Sequence, residues 1–150
     1  LILSNQVVGI VYDRMIAVDT SAVIALLNPK DQFHDLAREF FENTEGFIWL
    51  ALNVTTHELF TRTRYDQGLR QALSGYDFLR GERFSLLKFD TADETSARQI
   101  LQKYDDQNLS FHDALCAAVM MREGIFKVFS FDRDFWVFGF EVLPGMTGPG

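Results

Sequence analysis

Ile16-Ala17-Val18-Asp19-Thr20-Ser21-Ala22-Val23-Ile24-Ala25-Leu26-Leu27 is the stretch on which the fold is decided. Its first three residues are apolar on consecutive positions, which suits a short parallel strand covered on both faces. Asp19-Thr20-Ser21 then closes the strand and opens a helix to about Leu27. Asn28-Pro29-Lys30-Asp31 stops that helix, because Pro29 disfavours helical geometry at Asn28. The carboxylate of Asp19 stands alone in apolar sequence, with no Lys or Arg between it and Lys30. Burying such a charge costs roughly several kcal/mol unless it is paired, protonated or bound to a metal. Asp19 therefore reads either as a helix N-cap or as an acid held at the rim of a core to act on something.

Outward from this unit, apolar runs alternate with helical patterns. Leu36, Ala37, Phe40 and Phe41 give a helix over 34–43 one apolar face. Phe47 to Val54 reads as a second strand. A third helix starts at Thr55 and runs to about Arg80, with Gly68 and Gly75 as possible interruptions. Phe84 to Phe89 reads as a strand. Ala97, Ile100, Leu101 and Tyr104 recur at helical spacing after Thr91. Ser110 caps a helix that is apolar nearly all round from Ala114 to Met121, which implies burial on several sides. Lys127 to Phe131 is a fourth strand, and Phe140 to Leu143 a fifth at an edge closed by Pro144. This order predicts a single three-layer α/β/α domain over 15–144 with a central parallel sheet of four or five strands. Residues 1–14 read as an N-terminal extension, native or appended, although Val7 to Tyr12 could form a further strand. Residues 145–150 read as a flexible tail.

At 150 residues the chain is long enough for a real core without staples. Its net charge of −7 argues against gripping nucleic acid by bulk electrostatics, but suits a site that recruits cations or a partner that is basic. With one cysteine, no internal disulfide forms. No apolar run approaches the roughly 20 residues that span a bilayer, and no leader pattern opens the chain, so a cytoplasmic location is expected.

In parallel α/β sheets, chemistry collects at the carboxyl ends of the strands. Four acids fall there: Asp19 after the first strand, Glu58 a turn beyond the second, Asp113 in the first turn of the buried helix, and Asp132 after the fourth strand. Thr55-x-x-Glu58, Ser110-x-x-Asp113 and Thr91-x-x-Glu94 also match capping boxes, and Asp132 also reads as a turn residue. The joint placement is the stronger signal. Gathered carboxylates repel unless a cation or a proton joins them. An all-oxygen donor set favours Mg2+ or Mn2+ over Zn2+, and such ions support phosphodiester hydrolysis.

The runs Val18-Asp19-Thr20-Ser21-Ala22, Thr56-His57-Glu58-Leu59, Ser110-Phe111-His112-Asp113-Ala114-Leu115 and Phe129-Ser130-Phe131-Asp132-Arg133-Asp134-Phe135 together resemble the PIN domain, most nearly its VapC-type toxin ribonucleases. The resemblance spans about Met15 to Pro144. It implies Mg2+- or Mn2+-dependent endoribonuclease activity, with Asp19, Glu58, Asp113 and Asp132 as catalytic and metal-site acids and Ser21 and Ser130 in support. It also implies a small antitoxin partner and a homodimer, to which the apolar face after Phe33 would contribute. Asp134 competes for the fourth position, since alternation along an extended segment would aim it with Asp132; Asp132 is preferred because it comes directly off the strand.

Arg62, Arg64 and Arg70 follow Glu58 and read as a substrate path or as solvated surface. His57 and His112, each beside a site acid, read as phosphate contacts, proton shuttles, or solvent-facing or hydrogen-bonding residues. His112 and Cys116 at i and i+4 supply two of the four ligands zinc needs. Of the 15 Phe most fall on core stripes; Phe60, Tyr65 and Phe135 are the candidates for base stacking. The expected function is hydrolysis of RNA by water attacking in line. The alternatives are a non-catalytic PIN-type module that binds RNA or protein, and a phosphoryl-transfer domain, which would need a Lys near the site where Lys127 instead precedes the fourth strand.

Overall fold

Side-chain alternation along the strands sorts the core into two layers, and the sheet lies between them. The computed structural model describes residues 13–145. In chain order the elements are β1 (Met15–Val18), α1 (Thr20–Leu27), α2 (His34–Asn43), β2 (Ile48–Leu52), α3 (Asn53–Gln67), α4 (Leu69–Leu79), β3 (Phe84–Leu87), α5 (Thr91–Lys103), α6 (Phe111–Glu123), β4 (Lys127–Phe129), a 3-10 helix (Arg133–Phe138) and β5 (Glu141–Leu143). The five strands form one sheet in the order β3-β2-β1-β4-β5, every pair parallel.

Ile16, Val18, Trp49, Ala51 and Phe129 face one layer, where they pack with Val23 and Leu26 of α1, Ala37 and Phe41 of α2, and Leu59 and Leu79 of the α3–α4 pair. Ala17, Leu50, Leu52, Val128 and Val142 face the other, against Cys116, Ala117, Val119 and Met120 of α6. α6 is buried at every residue from Asp113 to Met120, as its all-round apolarity requires; Ala97 of α5 closes over Ala114, Leu115 and Ala118. α3 touches both layers, because Val54 packs with the α5–α6 side and Leu59 with the α1–α2 side.

The central strands and the parallel edge strand β5 match expectation, and several boundaries move. β2 stops at Leu52 because Asn53 already begins α3. The long third helix is two helices broken at Gly68, whose φ of 94° and ψ of 179° only glycine adopts readily. Gly75 interrupts nothing. It lies inside α4 where that helix folds back on α3, and an added Cβ would stand 3.3 Å from Leu59 Cδ2. α5 is capped by a reciprocal Asp90–Asp93 box instead of Thr91–Glu94. Phe135, expected to be free for stacking, is a core residue at 1% exposure. The suggested strand at 7–12 and nearly all of the tail lie outside the described residues. No helix among the described residues is long and apolar enough to cross a membrane.

Candidate active site

Chain direction in the sheet reverses its spread at β1: β2 and β3 build to one side, β4 and β5 to the other. Such a switch point opens a crevice at the carboxyl ends of the two adjacent strands. Asp19 sits there. Its amide continues the ladder by donating to Phe129 O at 2.9 Å, and its carboxylate caps α1. One oxygen, Oδ2, accepts from Ser21 Oγ (2.7 Å), Ser21 N (3.3 Å) and Ser130 Oγ (2.9 Å). Ser21 Oγ in turn accepts from Phe131 N and Ser130 Oγ from Asp132 N, which pins the segment after β4 onto the start of α1. The cap and site readings of Asp19 therefore describe one geometry. Burial raises its pKa above the ordinary carboxylate value, and the bonds from Ser21 and Ser130 and the charge of His112 only partly offset this.

Asp113, Asp132 and Asp134 bring carboxylate oxygens within 4.8 Å of one another. Asp113 also completes the expected capping box with Ser110. Burial works against its charge, but bonds from His112 and Ser110 outweigh that and hold its pKa below the usual range. Asp132 caps the 3-10 helix by accepting from Asp134 N at 2.9 Å. The segment is therefore helical, not extended, so strand alternation does not apply to it. Asp134 joins the cluster because a tight helical turn follows Asp132, and both acids belong to it. Burial first, then the charges of Asp132, Asp113 and Asp19, raises the Asp134 pKa. Carboxylates this close fit a hard divalent cation, which would relieve their repulsion with oxygen ligands alone.

Glu58 is not held by a capping box, since α3 starts two residues before Thr55 and the Thr55 hydroxyl pairs with His112 Nε2 at 3.2 Å. Its Oε2 is buried without a hydrogen-bond partner and lies 2.6 Å from His112 Nδ1, off the direction for a hydrogen bond. Its Oε1 faces Arg62 at 3.6 Å. Arg64 lies two residues further on, so it points away from that face and into solvent, as does Arg70 on α4. His57 is exposed. His112 is not: its side chain is 12% exposed and lies between Glu58 and Asp113 Oδ1, 3.8 Å away. Burial would lower its pKa, but Asp113, Cys116 and Glu58 raise it well above the ordinary histidine value. Of the alternatives that the sequence leaves open for His112, the structure selects the hydrogen-bonding one, and His57 takes the solvent-facing one. Cys116 Sγ touches the ring directly, 3.5 Å from Nε2. Lys127 lies at the far end of β4, paired with Glu141 at 3.0 Å, so it does not serve as the lysine of a phosphoryl-transfer site.

The PIN domain family model matches residues 16–140. The chain belongs to the PIN domain family. Among its PIN relatives, the 23S rRNA-specific endonuclease VapC20 of Mycobacterium tuberculosis is 33% identical over 132 residues, covering 87% of this chain and 99% of that protein. The crystal structure of M. tuberculosis VapC20, described as a sarcin–ricin loop cleaving toxin, superposes with a TM-score of 0.78 at 28% identity, over 83% of this chain and 95% of that one. FitAcB from Neisseria gonorrhoeae shares the PIN fold, with a TM-score of 0.64 at 17% identity over 85% and 96% of the two chains.

Proposed function

We propose that this PIN protein is a Mg2+- or Mn2+-dependent endoribonuclease, the toxin of a toxin–antitoxin pair, acting on RNA of the large ribosomal subunit. The observation that carries the reading is the gathering of Asp113, Asp132 and Asp134, with Asp19 and Glu58 beside them, at the switch point of the sheet. The target class rests on the VapC20 likeness, which extends over nearly the whole of that protein.

Asp113, Asp132 and Asp134 would hold the cation, and Asp19 and Glu58 would complete its surroundings. A bound Mg2+ or Mn2+ would activate water and offset charge on the phosphate. Asp19, fixed by Ser21 and Ser130, presents a carboxylate that cannot swing away. Arg62, half-exposed and 3.6 Å from Glu58, would meet a phosphate oxygen. The functional unit is assigned to residues 15–144 in the cytoplasm, as a homodimer using the apolar side of α2, where Leu36 is 41% exposed. The antitoxin would present Arg or Lys to the acids.

Purified protein incubated with ribosomal RNA should cut it in Mg2+ or Mn2+ and stop on addition of EDTA. An Asp19→Asn, Asp113→Asn double variant should be inactive; full activity in that variant would sink the mechanism.

A further inference from the structure

Glu58 differs from the other acids of the site. Asp113, Asp132 and Asp134 share one cluster, while Glu58 comes from α3 and is outside it. Its contact with Arg62 is long, at 3.6 Å, and the Arg62 side chain is 53% exposed, so it is a weak tether. The contact on the other oxygen is short and buried: His112 Nδ1 at 2.6 Å. The opposite edge of the same ring meets Thr55 Oγ1 at 3.2 Å, and Thr55 is fully buried. Thr55 and Glu58 are three residues apart on α3 and share a face. The imidazole is thus gripped at both edges by the helix that carries Glu58, while its own backbone stands next to Asp113 on α6.

We infer that His112 is a positioning residue that holds the Glu58 carboxylate against the three-acid cluster, with Thr55 as its anchor. The inference rests on reading Glu58 as a site acid of a metal-dependent nuclease. It assigns His112 neither contact with RNA nor a proton-transfer role.

Two amides separate positioning from mere filling of space. In His112→Asn the amide nitrogen reaches the place of Nδ1 and keeps the Glu58 contact. In His112→Gln it reaches the place of Nε2 and keeps only the Thr55 contact. The full chain is titrated with Mn2+ by calorimetry, and kcat and KM are measured separately on RNA. His112→Leu should weaken Mn2+ binding by about 10-fold or more, the usual range for groups that orient ligands. Asn should restore most of the affinity and Gln little, with the loss in kcat rather than KM. Thr55→Val should shift affinity in the same direction, and it decides the matter if His112→Leu does not fold. Unchanged or tighter Mn2+ binding in the Leu or Val variant, or equal behaviour of Asn and Gln, overturns the inference. Wild-type protein that binds Mn2+ but leaves RNA intact overturns the nuclease reading alone, because the calorimetric ranking of the variants still tests His112.

Discussion

Asp19 Oδ2 collects three hydrogen bonds, yet burial still holds the group's pKa above its ordinary value. A folded pKa above the unfolded one means that the favourable contribution is complete below the unfolded value, about 3.9, and is lost as pH rises through the folded value. At neutral pH the metal-free protein therefore carries an unfavourable charge. Asn caps a helix as well as Asp does. Asp19→Asn should raise the stability of the EDTA-treated protein by about 1 kcal/mol while removing activity, the trade commonly found at functional sites; a thermal melt in EDTA checks it. Thr20 offers a second test. Its Oγ1 is buried with no partner, so Thr20→Val should stabilise the protein by roughly 1 kcal/mol, read from the urea midpoint. Asp19 stood out in the sequence because it directly follows the apolar run of β1, Asp113 because it sits three residues after the Ser110 cap of an all-apolar helix, and Asp132 because it comes soon after the apolar run of β4. Asp134 was not fully readable, because only the backbone shows the 3-10 turn that folds it back beside Asp132. For His112 the sequence left solvent and hydrogen bonding both open, because position in a helix is visible but what packs on that helix is not; the structure selects hydrogen bonding.

Among the elements, the break between α3 and α4 depends on a backbone conformation rather than on packing, since nothing lies within 4 Å of a Cβ added at Gly68. Gly68→Ala should destabilise by about 1–3 kcal/mol through strain alone, measurable by chemical denaturation. The α5–α6 packing is tied by Arg122, whose Nε and Nη2 donate to Asp93 at 2.8 and 2.9 Å, and Nη2 also to Lys88 O. Those bonds hold the Asp93 pKa below its usual value, burial opposing them. Stability from this pair is therefore present above the unfolded Asp pKa and disappears as pH falls through the lower folded value. Asp93→Asn should be less stable than wild type at pH 7 and converge with it in acid, a comparison of melts across pH 2–7. The pair spans 29 positions and no periodicity predicts it. The capping boxes show the opposite limit: three fit the pattern, and of these only Ser110–Asp113 forms, because the others depend on where each helix actually starts.

For the whole molecule, consecutive apolar positions in β1 were enough to foresee a sheet buried on both faces. The strand order was not foreseeable, because it depends on which side of β1 each later strand docks. The acids at that switch point couple local charge to global stability. A cation that binds only the folded form stabilises it by about 2.7 kcal/mol at one hundred times its Kd. The melting temperature should thus rise with Mn2+ concentration, and Asp113→Asn should abolish most of that rise; a flat response in wild type would leave the cluster without a cation to hold.

The bond from the Asp19 amide to Phe129 O joins residues far apart in the order of synthesis. As the chain leaves the ribosome, Asp19 and Glu58 emerge first, and β1 waits as an unpaired edge on the side that β4 will take. Ser130, Asp132 and Asp134 come only with β4 and the turn that follows it. A nascent chain that has emerged only as far as α6 therefore lacks Ser130, Asp132 and Asp134, and the acid centre closes only once β4 and the turn after it have followed.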